Sequence, residues 1–359
     1  MNTLTREELW TRLAGAGLTS GELPAAAAAY KSPWPVRVML GIAGWVGALF
    51  LLFFAGIAFA KLFDSAQGAL PAGAICCFAA YGIFRAMPRN DFAAQFGFAV
   101  SLAGQALLIV GLAKLGGDRP SSAIFLVLAA VEAVLAVSIP NYIHRVFTTM
   151  AANFYLFIAA ALVGAPALAT VVAAVGVSLI WLDEVRMARR PSFWEPLGYG
   201  FAIALLHVDG SSMMGSELWR MLLSPGETPP HLLLWAGPVV AGLVFLYVIW
   251  KLRERVGVAA NSAGGIVTAA AAIVVAACGL GAPGISAAIL VLVLGFSNGN
   301  RVLMGLGLLA FGGYLSHFYY ELSSTLLVKS MVLAGTGALL LALRWTVGHF
   351  VPAEESVNA

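Results

Sequence analysis

Long apolar runs follow one another along this chain, and they leave it few ways to fold. Twelve stretches stand out: 38–60, 67–84, 92–113, 121–139, 145–163, 166–182, 193–208, 232–250, 263–280, 284–296, 302–318 and 324–345. A hydrocarbon core about 30 Å thick takes about 20 apolar residues per helical span. In lipid only helices and closed barrels satisfy their own backbone groups, and strand-like alternation is absent here. The runs therefore predict an all-α, polytopic helical membrane protein with about twelve spans. Gly164-Ala165-Pro166 alone separates the fifth run from the sixth, and Gly281-Ala282-Pro283 the ninth from the tenth. Either pair can be one broken helix, so ten or eleven spans stay open.

Composition agrees, at 61% hydrophobic and 10% charged residues. The net charge of +3 is small and scattered, which argues against a nucleic-acid partner. Cys76, Cys77 and Cys278 all fall inside apolar runs and read as small core residues, with no metal-like spacing. No phosphate-binding glycine loop, paired metal histidines or nucleophile–base pattern occurs, so no enzyme activity and no cofactor are expected. The charged segment from Thr3 to Leu13 does not read as a cleavable signal peptide.

The twelve-run model sorts the 20 lysines and arginines unevenly. Fifteen fall on the side of the N-terminus, including Arg37, Arg85, Arg145, Arg190, Arg255 and Arg301. Five fall opposite: Lys61, Lys114, Arg119, Arg220 and Lys329. The positive-inside rule then places both termini in the cytoplasm. The expected organisation is a cytoplasmic amphipathic segment (1–35), two six-helix membrane halves (36–190 and 191–348) and a cytoplasmic tail (349–359). In the first segment, Thr5 and Glu8 have capping-box spacing, and Leu9, Trp10 and Leu13 give a short helix one apolar side.

The second half echoes the first. Tyr81 to Arg85 matches Tyr247 to Lys251, each closing a run at a basic loop. Gly97 matches Gly264, and Ser122 matches Ser286. Asn141, Arg145 and Val146 match Asn300, Arg301 and Val302, and Tyr155 matches Tyr314. The offsets stay between 156 and 167. Runs 2–5 thus align with runs 8–11 in the same orientation, which predicts a parallel six-plus-six repeat. The abundant glycines, such as Gly41, Gly44, Gly47, Gly305, Gly307, Gly312 and Gly313, read as faces for close helix packing.

Polar residues inside the runs are costly and mark candidate sites. Glu132 is the sharpest, alone among apolar residues near mid-membrane. Gln105 and Asn153 lie at similar depth, so the three make a candidate polar site. Either Glu132 couples transport to a proton or cation, or it is a protonated acid bonded between helices. The repeat places no acid opposite it. Lys329 enters the last run from its outer end, where snorkelling or pairing with Glu321 is the simpler reading. His207, Asp209, His231, His317 and Glu321 gather at the outer face, but without fixed metal-ligand spacing, so no metal is assigned. The outer loop 209–231 reads as a short interfacial helix.

Two stretches resemble a known family. The first is Ser32-Pro33-Trp34-Pro35-Val36-Arg37, leading into Gly41 to Trp45. The second runs from Gly299-Asn300-Arg301-Val302-Leu303-Met304 through Tyr319-Tyr320-Glu321-Leu322 to Thr325 and Lys329-Ser330. Together they are similar to the bacterial inner-membrane family labelled domain of unknown function 4401. The resemblance implies a multi-pass bacterial inner-membrane protein and marks Arg301, Tyr320 and Lys329 as part of the family pattern. It also implies a possible partner, a small membrane-anchored protein with a Gly-Asp-Tyr motif. It supplies no catalytic residue. The expected function is a secondary transporter of a small solute. The alternative is a non-transporting subunit or scaffold that binds a membrane partner.

Overall fold

A computed structural model describes residues 6–17, 19, 21, 23, 34–58, 60–88, 90–116, 121–211, 231–282 and 284–321, with scattered positions from 327 to 345. Helices are the only regular elements among them. They are α1 (Arg6–Gly15), α2 (Trp34–Ala58), α3 (Ala60–Phe63), α4 (Ala66–Ala86), α5 (Asp91–Gly116), α6 (Ser122–Ser138) and α7 (Tyr142–Leu162). There follow α8 (Ala167–Leu182), α9 (Glu184–Arg189), α10 (Pro191–Ser211), α11 (His231–Val256), α12 (Ala263–Gly281), α13 (Ile285–Ser297) and α14 (Arg301–Glu321).

Six segments are long and apolar enough to cross a membrane: Ala66–Ala86, Asp91–Gly116, Tyr142–Leu162, Ala236–Val256, Ala263–Leu280 and Arg301–Tyr320. Four shorter helices are also apolar: Gly41–Phe54, Ser122–Ser138, Ala167–Leu182 and Ile285–Ser297. Large apolar side chains such as Phe50, Phe54, Phe78 and Leu309 point outward, as hydrocarbon surroundings permit. The molecule is a multi-pass helical membrane protein. Most of the last run, the loop from 212 to 230, Thr5, Lys329 and the side chain of Glu321 lie outside the described residues.

Polar caps punctuate the apolar helices. Ser65 accepts the N–H of Gly68, Asn90 that of Ala93, Asn141 that of His144 and Ser262 that of Gly265. Asn300 accepts from Val302 and Leu303. Each cap answers donors that the first helical turn leaves unpaired. Asn141 and Asn300, matched by sequence, do the same work. Their arginine partners do not, since Arg145 is buried and Arg301 is exposed.

The first doubtful pair is not one broken helix. Asn153 Nδ2 of α7 lies 3.2 Å from the carbonyl of Ala169 in α8, 16 residues on. An unbroken helix would put about 24 Å between them at 1.5 Å per residue. The chain turns back at Gly164, whose φ of +75° suits glycine. Between α12 and α13, a Cβ on Gly279 would overlap the Ser286 hydroxyl, so the chain bends sharply there.

Backbones touch along α4 and α5. A Cβ on Gly104 would meet Cys77 Sγ and the Gly73 carbonyl at 2.8 Å, and one on Gly111 would meet Leu70 at 2.7 Å. Gly44 and Gly307 are equally tight, against Phe92 and Leu292. Gly305, Gly312 and Gly313 meet no described neighbour, so the packing role predicted for them is not seen here. The core expectation for the cysteines also needs correcting: Cys77 is buried, but Cys278 is exposed.

The largest core among the described residues lies where α8, α10, α11 and α13 meet, around Val177, Trp181, Leu205, Val248 and Leu294. It joins helices on both sides of residue 190. At one end of it, the Tyr199 hydroxyl of α10 holds the Asn300 side chain, 101 residues on, with O···O 2.9 Å and N···O 2.7 Å.

Candidate functional site

On α6, Ala129, Ala133 and Ala136 share one face, and Glu132 falls beside it. The Glu132 side chain turns into the bundle and is only 2% exposed. Its Oε2 has no hydrogen-bond partner. Its electrostatic neighbours are Cys77 of α4 and Tyr155 of α7. An acid without a full set of hydrogen bonds in an apolar interior is expensive to keep.

The expected polar trio does not form a single cluster. No hydrogen bond joins Glu132, Gln105 and Asn153, though all three are buried. Gln105 donates to Ser101 at 3.2 Å, one turn back on α5. The Ser101 hydroxyl meets His144 Nε2 of α7 at 2.8 Å. His144 is fully buried between the edges of Phe84 and Phe98, and its Nδ1 has no partner. Asn153 turns the other way. Its Nδ2 is spent on Ala169, and its Oδ1 is unpartnered.

Arg145 appears in the sequence only as a loop cation, yet it is a buried staple. Its Nε donates to the Ala136 carbonyl at 2.7 Å and its Nη2 to Ile139 at 3.1 Å, both at the end of α6. Its Nη1 donates to Ser192 of α10 at 2.9 Å, and its guanidinium lies 4.7 Å from the Phe193 ring. A cation at a helix C-terminus answers both the open carbonyls and the dipole. Sequence reasoning missed His144, Ser101 and this role of Arg145. The signal was a polar stripe along α7, with His144, Thr148, Thr149 and Asn153 at helical spacing.

Asp209 also differs from expectation. The sequence groups it with the outer-face residues, and in the structure it is 1% exposed and accepts the N–H of Gly284 at 3.1 Å. Gly284 is the N-cap of α13, at φ +89°. The Tyr314 ring packs on Gly284, and its hydroxyl donates to the Leu206 carbonyl. The second half thus has a buried acid beside Tyr314, as Glu132 sits near the matching Tyr155. The two acids come from non-equivalent helices. His207 is exposed and meets the Phe154 edge at 5.2 Å, and His317 is half-buried. Among the described residues no three His, Cys, Asp or Glu side chains are placed to share a metal ion. Arg301 and Tyr320 are exposed, Tyr320 against the Tyr319 ring.

A cleft of about 310 Å³ opens between α6, α7, α8 and α10. Ala129, Ala133, Thr149, Asn153, Val172 and Phe201 line it, and Glu132 does not.

Comparison with known proteins places these features in a family. A family model described as Domain of unknown function (DUF4401) matches residues 33–349. Searches of curated proteins and of solved structures each returned no match.

Proposed function

The chain belongs to the family described as Domain of unknown function (DUF4401), whose description names no activity, and from the geometry we propose a secondary transporter driven by a proton or cation. Glu132 is its coupling carboxylate. One observation carries this reading: Glu132 Oε2 is buried without a hydrogen bond. An acid held only for structure would be expected to use both oxygens. The proposal includes twelve spans, a parallel six-plus-six arrangement of 36–190 and 191–348, and both termini in the cytoplasm of a bacterial inner membrane. The equivalent asparagine caps and the matched tyrosines near buried acids support the repeat. We assign no enzymatic step.

A second reading has its own support. Glu132 does not line the cleft, and a sealed acid suits a non-transporting subunit that holds a membrane-anchored partner. Proteoliposomes with a trapped pH-sensitive dye separate the two. Fractions of a small-solute extract should move protons in wild type. Glu132→Gln should abolish that signal while its unfolding profile stays cooperative. Full proton movement in both Glu132→Gln and Glu132→Ala would end the coupling role. Silence in wild type, with a stoichiometric protein retained through purification in mild detergent, would favour the subunit.

A further inference from the structure

The cleft beside α6 has a chemistry of its own. Its wall is almost entirely hydrocarbon, and no charged side chain lines it. Apolar cavities stay dry, so water is a poor occupant. Its two polar side chains already direct donors elsewhere: Thr149 Oγ1 donates to the Arg145 carbonyl at 2.7 Å, and Asn153 Nδ2 to Ala169 at 3.2 Å. Asn153 Oδ1 remains, on a residue 2% exposed, as an acceptor with no partner. The rim includes Val137, 60% exposed, and Val172, 38% exposed. Both belong to apolar helices, so the mouth faces lipid rather than water. The volume of about 310 Å³ sits at the low end of small-molecule sites, about 300–1,000 Å³.

We infer that this cleft binds a neutral, mostly apolar molecule with one hydrogen-bond donor, of the long-chain alcohol class, taken from the surrounding bilayer. The donor meets Asn153 Oδ1, and the chain lies along Ala129, Ala133 and Val172. The alanines on α6 provide the space, and the absence of charge excludes ions.

The site stands apart from the coupling reading, because binding is measured on purified protein with no gradient. The probes are a diazirine-bearing long-chain alcohol and the matching alkane without the hydroxyl, each added to full-length protein in mild detergent. In wild type the alcohol should label α6 and α7 peptides about three- to tenfold more strongly than the alkane, the worth of one hydrogen bond. Asn153→Leu should bring the alcohol down to the alkane's level, and Ala133→Phe should abolish labelling by both. Glu132→Gln should leave labelling unchanged. Equal labelling by alcohol and alkane in wild type overturns the proposal, and this comparison needs no variant to fold. Undiminished labelling in a folded Ala133→Phe protein overturns it as well.

Discussion

Arg145 spends three donors on backbone carbonyls from two helices. Removing one partner of a buried polar set leaves the rest desolvated and unpaired. Arg145→Met keeps the stem and removes every donor. It should cost roughly 3–5 kcal/mol, seen as a lower unfolding midpoint in detergent. Arg145→Lys should recover only part of the loss, because a point charge cannot reach three separate acceptors. Equal stability of wild type and Arg145→Met would show that the staple carries no weight. That residue also shows where sequence reading stops. Its charge places it at a membrane edge, but which carbonyls it reaches depends on how α6, α7 and α10 meet. Glu132 was legible because its cost is a property of the residue. The parting of Gln105 and Asn153 was not, because residues at one depth can face opposite ways around a helix.

Between helices, the distinction is between glycines that let backbones touch and glycines that meet no described neighbour. Gly97, Gly104 and Gly111 recur every seven residues along α5, all facing α4. The sequence marks glycine-rich faces but does not tell which face meets a helix and which meets lipid. Gly44 and Gly104 turn out to be contacts, whereas Gly305 meets no described neighbour. Gly104→Ala would push a methyl into Cys77 and the Gly73 carbonyl, and overpacking of this kind costs about 1–3 kcal/mol. Gly305→Ala should be neutral or stabilising by up to about 1 kcal/mol, since alanine is the better helix former. Unfolding midpoints of both variants in one detergent test this, and equal effects would dissolve the distinction. The breaks near Gly164 and Gly284 were legible as breaks. That the first is a reversal rather than a kink follows only from the Asn153–Ala169 contact, and the second is a sharp bend that brings Gly279 to Ser286.

For the molecule as a whole, the proposed topology places the α7–α8 turn outside and the α13–α14 turn inside. Val163 and Ser297 are exposed at those turns. With Cys76, Cys77 and Cys278 replaced by alanine, a membrane-impermeant maleimide should label Val163→Cys in intact bacterial cells. Ser297→Cys should react only after the cells are permeabilised. Labelling of both from outside would break the alternation on which twelve spans depend. The apolar runs made the helical class legible across the chain. The shared core around Trp181 and Leu205 was not legible, because apolar runs alone do not reveal which helices are neighbours.

The bond between Tyr199 and Asn300 has a consequence for how the protein is made. Its two ends are 101 residues apart, and synthesis proceeds at about 5–20 residues per second. The ribosome therefore delivers the second end about 5–20 s after the first. Until then the Tyr199 hydroxyl lacks the side chain that answers it in the finished protein. A nascent chain halted before Asn300 retains that unanswered group, so this single bond records whether translation has run far enough to close the core.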